Sequence, residues 1–285
     1  MQLAVLSDIH SNFIALKACI KFIESRPIDG IILLGDYVSD CPKPQNTLKE
    51  IKQLIQRYPS WVIKGNREEY FLNYRDGKEE NWEYTSYKGS LLYTYERLTK
   101  EDLMWFEKLP STLTVEIEGA KPITIMHGSP VCAKELMDKN QENTDVHMET
   151  CKTDYLLAGH THRQFVYYHK NKMLLNPGSI GVAIGERATA HMALLRWEDN
   201  QWKYNLIGVP YSYNKLKQEF EKSSLMERAN VWPKCILKSI DSGVNVGPIC
   251  AKKAYDLAIE DCQKIKDRIV PEYYWEQAAK ELGVI

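Results

Sequence analysis

Five short segments of this 285-residue chain carry the carboxylate, imidazole and amide groups that bind divalent metal ions through oxygen and nitrogen. They are Asp8-x-His10, Gly35-Asp36, Gly65-Asn66, His127-Gly128 and Gly159-His160-Thr161-His162. Each directly follows a predicted strand. In open α/β sheets, ligands gather where loops leave the carboxyl ends of strands, so segments far apart in sequence would meet in one cleft. Taken singly, an Asp or His at a strand end serves as a cap, a turn or a satisfied buried polar group. Four of the seven histidines fall in these segments, however, and separate local roles for each would need several coincidences. The set points to metal-assisted chemistry.

Patterning along the chain indicates the elements that must hold these groups. Apolar runs at 3–6, 31–34, 123–126 and 155–158 read as strands buried on both faces. Residues 12–26 put Phe13, Leu16, Ile20 and Ile23 on one helical face, with Lys17 and Lys21 elsewhere, which makes a β-α-β opening. After Gly159 come antiparallel pairs, 165–168 with 173–175 and 192–197 with 201–206, joined at Lys170-Asn171 and Asp199-Asn200. In the last strand Trp202, Tyr204 and Leu206 alternate with polar neighbours, so one face is buried. The expected fold class is α/β, a layered αββα sandwich of two mixed sheets flanked by helices. From Val209-Pro210 onward apolar residues recur at helical spacing, as at Ala254, Leu257, Ala258 and Ile265. A domain over 1–208 is thus expected to precede a helical C-terminal extension over 209–285. That extension carries no proposed ligand and is expected to shape substrate access or self-association without touching the metals. Tyr273, Tyr274 and Trp275 are its candidates for a homo-oligomer contact or a cleft rim, against ordinary packing.

The formal net charge is -1, with lysines and arginines interleaved among carboxylates, so duplex nucleic acid is not expected as a partner. A small anionic substrate is compatible with this balance, because metal ions supply positive charge that side chains do not. Seven cysteines, an odd number spread from Cys19 to Cys262 without a C-x-x-C pair, suggest reduced thiols. With no basic or cleavage-site pattern ahead of Leu3-Ala4-Val5-Leu6 an export signal is not expected, and no apolar run approaches the roughly 20 residues of a membrane helix. The expectation is a cytoplasmic protein without a membrane partner.

The segments Ser7-Asp8-Ile9-His10-Ser11-Asn12, Gly35-Asp36-Tyr37-Val38 with Pro42-x-Pro44, Gly65-Asn66, His127-Gly128-Ser129-Pro130, Gly159-His160-Thr161-His162 and Asn176-Pro177-Gly178-Ser179 carry a resemblance. Over about residues 1 to 208 the chain resembles the calcineurin-like metallophosphoesterase superfamily, most closely its small bacterial phosphodiesterase-like branch. The resemblance implies that Asp8, His10 and His162 hold a first metal, that Asn66, His127 and His160 hold a second, and that Asp36 bridges them. The ions would be manganese, iron or zinc. It further implies a phosphoesterase acting on phosphodiester or phosphoanhydride bonds, nucleotides or dinucleoside polyphosphates among them. The nucleophile would be a hydroxide shared by ions roughly 3.5 to 4 Å apart. Asp36, Asn66, Arg67 and His127 are then the catalytic candidates, with Arg67 and Asn12 as phosphate contacts.

One position departs from the family pattern. Relatives usually read Gly-Asn-His followed by an acid, and here Arg67 precedes Glu68. An arginine stays charged and cannot protonate a leaving group, although it can fork onto a phosphate or pair with a carboxylate. His147 is a substitute acid or an exposed side chain. Asn12 is first a helix N-cap and second a phosphate contact. The Ser129 and Asn176-Pro177-Gly178-Ser179 segments have turn composition, the latter also a candidate cleft loop. The aromatic-rich stretch 69–105 is read as core packing ahead of a base-stacking wall. Two alternatives accompany the main reading. One is a serine/threonine protein phosphatase-like enzyme, disfavoured because Ser39-Asp40-Cys41 stands where that branch has Asp-Arg-Gly. The other is a scaffold that keeps the fold but little catalysis.

Overall fold

The computed structural model describes residues 1–261 and 269–285; Cys262 and Ile265 lie outside the described residues. Ten strands are present among them: β1 (Gln2–Leu6), β2 (Gly30–Leu33), β3 (Ser60–Val62), β4 (Thr112–Val115) and β5 (Ile123–Met126). β6 (Tyr155–Leu157), β7 (Gln164–His169), β8 (Lys172–Pro177), β9 (Thr189–Glu198) and β10 (Gln201–Pro210) follow. The helices of the first part are α1 (Phe13–Glu24), α2 (Pro44–Arg57), α3 (Asn66–Arg75), α4 (Gly89–Tyr95), α5 (Lys100–Lys108) and α6 (Asn143–Thr150). Those of the last are α7 (Tyr213–Glu221), α8 (Leu225–Arg228), α9 (Trp232–Ser242), α10 (Val246–Glu260) and α11 (Glu272–Glu281).

The strands form two mixed five-stranded sheets, in the orders β10-β9-β1-β2-β3 and β4-β5-β6-β8-β7. In the second sheet the parallel pairs β5/β6 and β6/β8 are flanked on both sides by antiparallel β4 and β7. In the first, the parallel run β1/β2/β3 ends at the edge strand β3, and antiparallel β9 and β10 lie on the other side. Alternation along β1 explains the layering. Leu3 and Val5 join Ile32, Ile123, Leu157 and Leu175 between the sheets, while Ala4 and Leu6 face the α1 residues Leu16, Ile20 and Ile23. Each buried Val, Leu or Ile among them contributes about 1.5–3 kcal/mol. On the outer face of the second sheet Met148 of α6 packs on Leu156 and Leu174. This is the layered α/β arrangement expected from the strand patterns.

Most of the aromatic stretch is core, with Tyr84 and Tyr87 exposed. Trp82 is buried and stacked on Tyr74 at 4.2 Å, with Tyr95 edge-on to both, and the cluster packs beneath α3 and α5. β10 runs to Pro210, past the boundary expected at 208, because Gly208, Val209 and Pro210 stay paired with His191, Ala190 and Thr189. The helices beyond it share a buried cluster with Cys41, Tyr93 and Val182 of the sheet-bearing part, around Leu216, Phe220 and Ile236. Tyr274 and Trp275 are buried among α9, α10 and α11, whereas Tyr273 is exposed. Among the described residues no helix is long and apolar enough to cross a membrane.

Candidate metal centre

The loops after β1, β2, β3, β5 and β6 meet at one end of the paired sheets. Backbone hydrogen bonds sew them together: Asp8 N to Gly35 O, His10 N to Asp36 O, and Gly159 N to His127 O at 2.8 Å. Asp8, His10, Ser11, Asp36, Asp40, His160 and His162 all lie at positive φ, between 48° and 66°. Asp and His tolerate that left-handed region better than most residues, yet each instance costs on the order of 1–3 kcal/mol. Gly65 is required by space, since a Cβ there would stand 2.3 Å from Asp36 Oδ1 and 2.9 Å from His127 Nδ1.

Two groups of converging donors result, Asp8 with His10 and His162, and Asp36 with His127 and His160. His162 Nδ1 donates to Val182 O at 2.9 Å and His127 Nδ1 to Leu34 O at 2.7 Å, which leaves each Nε2 as a lone-pair donor. His10 Nδ1 sits 3.1 Å from Asp40 Oδ2, and its Nε2 lies 3.0 Å from His162 Nε2. His160 Nε2 faces Lys134 O, freeing Nδ1. Asn66 Oδ1 lies 3.0 Å from His127 Nε2. Asp36 Oδ2 stands 3.8 Å from His10 Nε2 and 3.4 Å from His127 Nε2, between the two groups. Asp8 Oδ1 is buried without a hydrogen-bond partner, although Asp8 Oδ2 accepts from Ser7 Oγ and His160 N.

Lone pairs aimed at one another at 3.0 Å and an orphaned buried carboxylate oxygen repel unless positive charge lies among them. Divalent cations fit this donor set of nitrogens and oxygens. Protons fill the same need when no cation is bound. Burial works against charge on His127, but Asp36 and Asp8 outweigh it and raise its pKa to about 10. His10 is likewise raised to about 9, with burial overcome by Asp40 and Asp8. Asp36 falls to about 2 despite burial, chiefly through His127, and Asp8 is lowered well below the usual carboxylate range. Burial and the neighbouring His127 charge push His160 down to about 4.

Several residues act on the ligands from behind. Glu68 accepts from the backbone N–H groups of Asp36, Tyr37 and Gly65 at 2.8–2.9 Å, clamping two ligand loops. Burial and Asp36 raise its pKa to about 7. Asn176 donates to Gly159 O and Thr161 Oγ1, and Ser179 donates to Asp8 O, so that turn braces the cleft instead of entering it. Ser129 Oγ accepts from Val131 N and Cys132 N as a turn residue.

Asn12 is not at the cleft, contrary to its expected second role as a phosphate contact. It is fully buried, caps α1 through Ala15 N, and donates to Gly181 O and Tyr211 Oη, so no group remains for a ligand. Arg67 does line the cleft. Its Nη2 meets Asp40 Oδ2 at 3.1 Å and its buried Nε lacks a hydrogen bond. His147 pairs with Glu135 at 2.9 Å and is absent from the cleft lining.

Asp40 was not singled out by sequence. Nearly fully buried, it joins His10 Nδ1, Arg67 Nη2, Ser90 Oγ and, through Oδ1 at 2.8 Å, Trp232 Nε1. The extension therefore does not stay clear of the centre: Trp232 of α9 holds the carboxylate that holds His10, and Ile236, Asn245 and Pro248 also line the cleft. Asp40's place four residues after Asp36 is its sole sequence signal, and none exists for Trp232.

Comparison with known proteins identifies the family and the fold. The family model for the calcineurin-like phosphoesterase superfamily domain matches residues 1–200. An uncharacterized protein of Methanocaldococcus jannaschii is 27% identical over 242 residues, 79% of this chain and 94% of the relative. The crystal structure of a hypothetical protein from Pyrococcus horikoshii has a TM-score of 0.71 at 24% identity, covering 85% of this chain and 98% of that one. A metallophosphoesterase from Sphaerobacter thermophilus has a TM-score of 0.66 at 22% identity, covering 86% and 100%. The last two likenesses concern the fold. Matched over residues 1–200 by the family model, this chain belongs to the calcineurin-like phosphoesterase superfamily.

Proposed function

We propose that the chain is a phosphoester hydrolase that uses two divalent ions, of manganese, iron or zinc, to cleave phosphodiester or phosphoanhydride bonds of a small anionic substrate. The observation that carries this reading is the convergence of six donors in two adjoining groups, with Asn66 Oδ1 beside His127 Nε2 and Asp8 Oδ1 left without a hydrogen-bond partner. Asp8, His10 and His162 would hold one ion and Asn66, His127 and His160 the other. Asp36 Oδ2, between His10 and His127, is suited to serve both. Bound ions would supply Lewis acidity and an activated water.

The chain's own contribution is orientation and charge. Glu68 fixes the peptides on either side of Asp36, and backbone carbonyls fix the tautomers of His127 and His162. Arg67, held by Asp40 at the cleft edge, offers its remaining N–H groups to a phosphate oxygen. Burial opposes its charge, but Asp40 and Asp36 raise its pKa, so it donates no proton to a leaving group. His147, paired with Glu135 away from the cleft lining, offers no substitute. Leaving groups must then be stable as anions.

The test is turnover with added manganese of bis(p-nitrophenyl) phosphate and of nucleotide anhydrides against glycerol phosphate. Rapid cleavage of the first two and weak cleavage of the alkyl monoester are expected. Arg67→Ala should raise KM about tenfold or more, the worth of a hydrogen bond to a charged group. Equal rates on alkyl monoesters and aryl diesters would reveal a proton donor and refute this account of the leaving group.

A further inference from the structure

Arg67 stands beside a carboxylate without forking onto it. A planar guanidinium ordinarily grips a carboxylate with two parallel N–H groups. Here Nη2 alone bonds Asp40, at 3.1 Å from Oδ2, and no hydrogen bond runs from Arg67 to Oδ1. That second oxygen is already taken. It accepts from Trp232 Nε1 at 2.8 Å and from Ser90 Oγ at 3.3 Å, while Oδ2 also meets His10 Nδ1 at 3.1 Å and Ser39 Oγ at 3.0 Å. Asp40 is 3% exposed, so these partners and not solvent set its orientation. Arg67 Nε is consequently left buried without a hydrogen bond in the wall of the metal cleft, 3.9 Å from Asp36 Oδ2. An unmet buried donor costs about 1–3 kcal/mol, and an anion in the cleft would remove that cost.

The Trp232 bond is more than the partner that burial demands of any indole. Trp275, whose ring centroid lies 6.4 Å from that of Trp232, is buried and keeps its own Nε1 without a partner. Trp232 is firmly seated. It opens α9 ahead of Pro233, packs against both buried clusters of the C-terminal helices, and lies so close to α10 that a Cβ on Gly247 would stand 3.1 Å from its ring. One fixed N–H is thus presented to one carboxylate oxygen.

We propose that Trp232 is a positioning residue that keeps Asp40 Oδ1 from Arg67, so that the rest of the Arg67 fork stays free for a substrate phosphate oxygen. This rests on the phosphoesterase reading above. Calorimetric titration of the manganese-loaded full chain with inorganic phosphate tests it. Trp232→Phe keeps a ring between α9 and α10 but lacks the N–H, so Arg67 should close onto both Asp40 oxygens. Phosphate should then bind about tenfold more weakly, the worth of one hydrogen bond to a charged group. KM for bis(p-nitrophenyl) phosphate should rise by a similar factor with kcat changing less than about twofold, a split that general loosening of the cleft would not produce. In an Arg67→Lys background, which has no fork to close, Trp232→Phe should alter phosphate affinity less than about twofold. Undiminished loss in that background, unchanged phosphate binding in Trp232→Phe, or no phosphate binding by the unaltered protein overturns the proposal. A crystal structure of the unaltered protein with manganese and phosphate decides it even if Trp232→Phe fails to fold. Arg67 should contact one Asp40 oxygen and the phosphate, and a guanidinium forked on both Asp40 oxygens, or out of reach of the phosphate, is the contrary result. Hydrolysis of bis(p-nitrophenyl) phosphate with phosphate binding indifferent to Trp232 sinks the positioning role alone. Phosphate binding that depends on Trp232, without hydrolysis of any phosphoester, sinks the catalytic reading and leaves an anion site.

Discussion

The two donor groups are built alike at the front and differently behind. In the second, His127 is held by the Leu34 carbonyl and His160 by the Lys134 carbonyl, both neutral. In the first, His162 has a carbonyl partner but His10 is held by Asp40, a carboxylate that also binds Arg67 and Trp232. A carboxylate behind an imidazole makes it a more basic ligand than a carbonyl does. The first group is thus tied electrostatically to Arg67 at the cleft edge and mechanically to α9, while the two imidazoles of the second rest on backbone carbonyls.

The largest effect should come from the residue that, on the proposed reading, both ions share. Asp36→Asn removes the negative charge between them and should reduce metal binding at both, with activity falling more than about 100-fold, beyond the roughly 10- to 100-fold loss typical of an outer partner. Circular dichroism should show little unfolding. Loss at one site alone would show that Asp36 serves a single ion.

Separate ligands should separate the groups. His162→Ala is expected to empty mainly the first site and His160→Ala the second, as read by anomalous-scattering occupancies. Matching losses in the two variants would merge the sites into one.

The rear partner gives a smaller and more selective change. Asp40→Asn should lower metal affinity of the first group about 10- to 100-fold by calorimetry while leaving the second nearly unaltered. A uniform loss would mean that Asp40 holds the loops in general instead of His10 in particular.

The smallest expected signal is in stability against pH. His10 and His127 are raised above their usual 6.5, so their contribution in metal-stripped protein is fully present below that value and is lost as pH climbs through about 9 and 10. Asp36, lowered to about 2, keeps its contribution until strongly acidic pH. Divalent ions replace those protons and release them. Between about pH 7 and 10, therefore, Tm of the chelator-treated protein should fall while that of the loaded protein holds. A constant gap would remove the histidines from that role.

Much of the candidate site was legible from the sequence because its candidate ligands travel with local markers. Asp8, Asp36, His127 and His160 follow short apolar runs, and Gly35, Gly65 and Gly159 adjoin them where a side chain would collide. The α1 cap was legible too, since an Asn before an amphipathic stretch has a local reason to be there. What occupies the rest of Asn12 was not, because Gly181 and Tyr211 come from 169 and 199 residues away. The Asp40–Trp232 bond likewise spans 192 residues, and one Trp among seven carries no mark of its partner. The end of β10 was misplaced because Val209-Pro210 looks like a strand terminator, yet Pro210 lies where the pairing with Thr189 ends and costs little ladder bonding.

The left-handed backbone of the ligand loops has an evolutionary consequence. Substitution at positions 8, 10, 36, 40, 160 and 162 is filtered twice, once by the ions and once by φ. If the ions ceased to matter, the second filter would remain and would still favour Asn, Asp or Gly over branched or bulky residues. In a lineage drifting toward a purely structural role, positions 8, 36 and 40 would therefore keep acid-like residues long after turnover had gone. Positions 10, 160 and 162 would admit Asn or Gly in place of His, since φ alone does not single out an imidazole. If the proposed ions bind, His at all three positions is what backbone conformation alone would not keep in descendants of this chain.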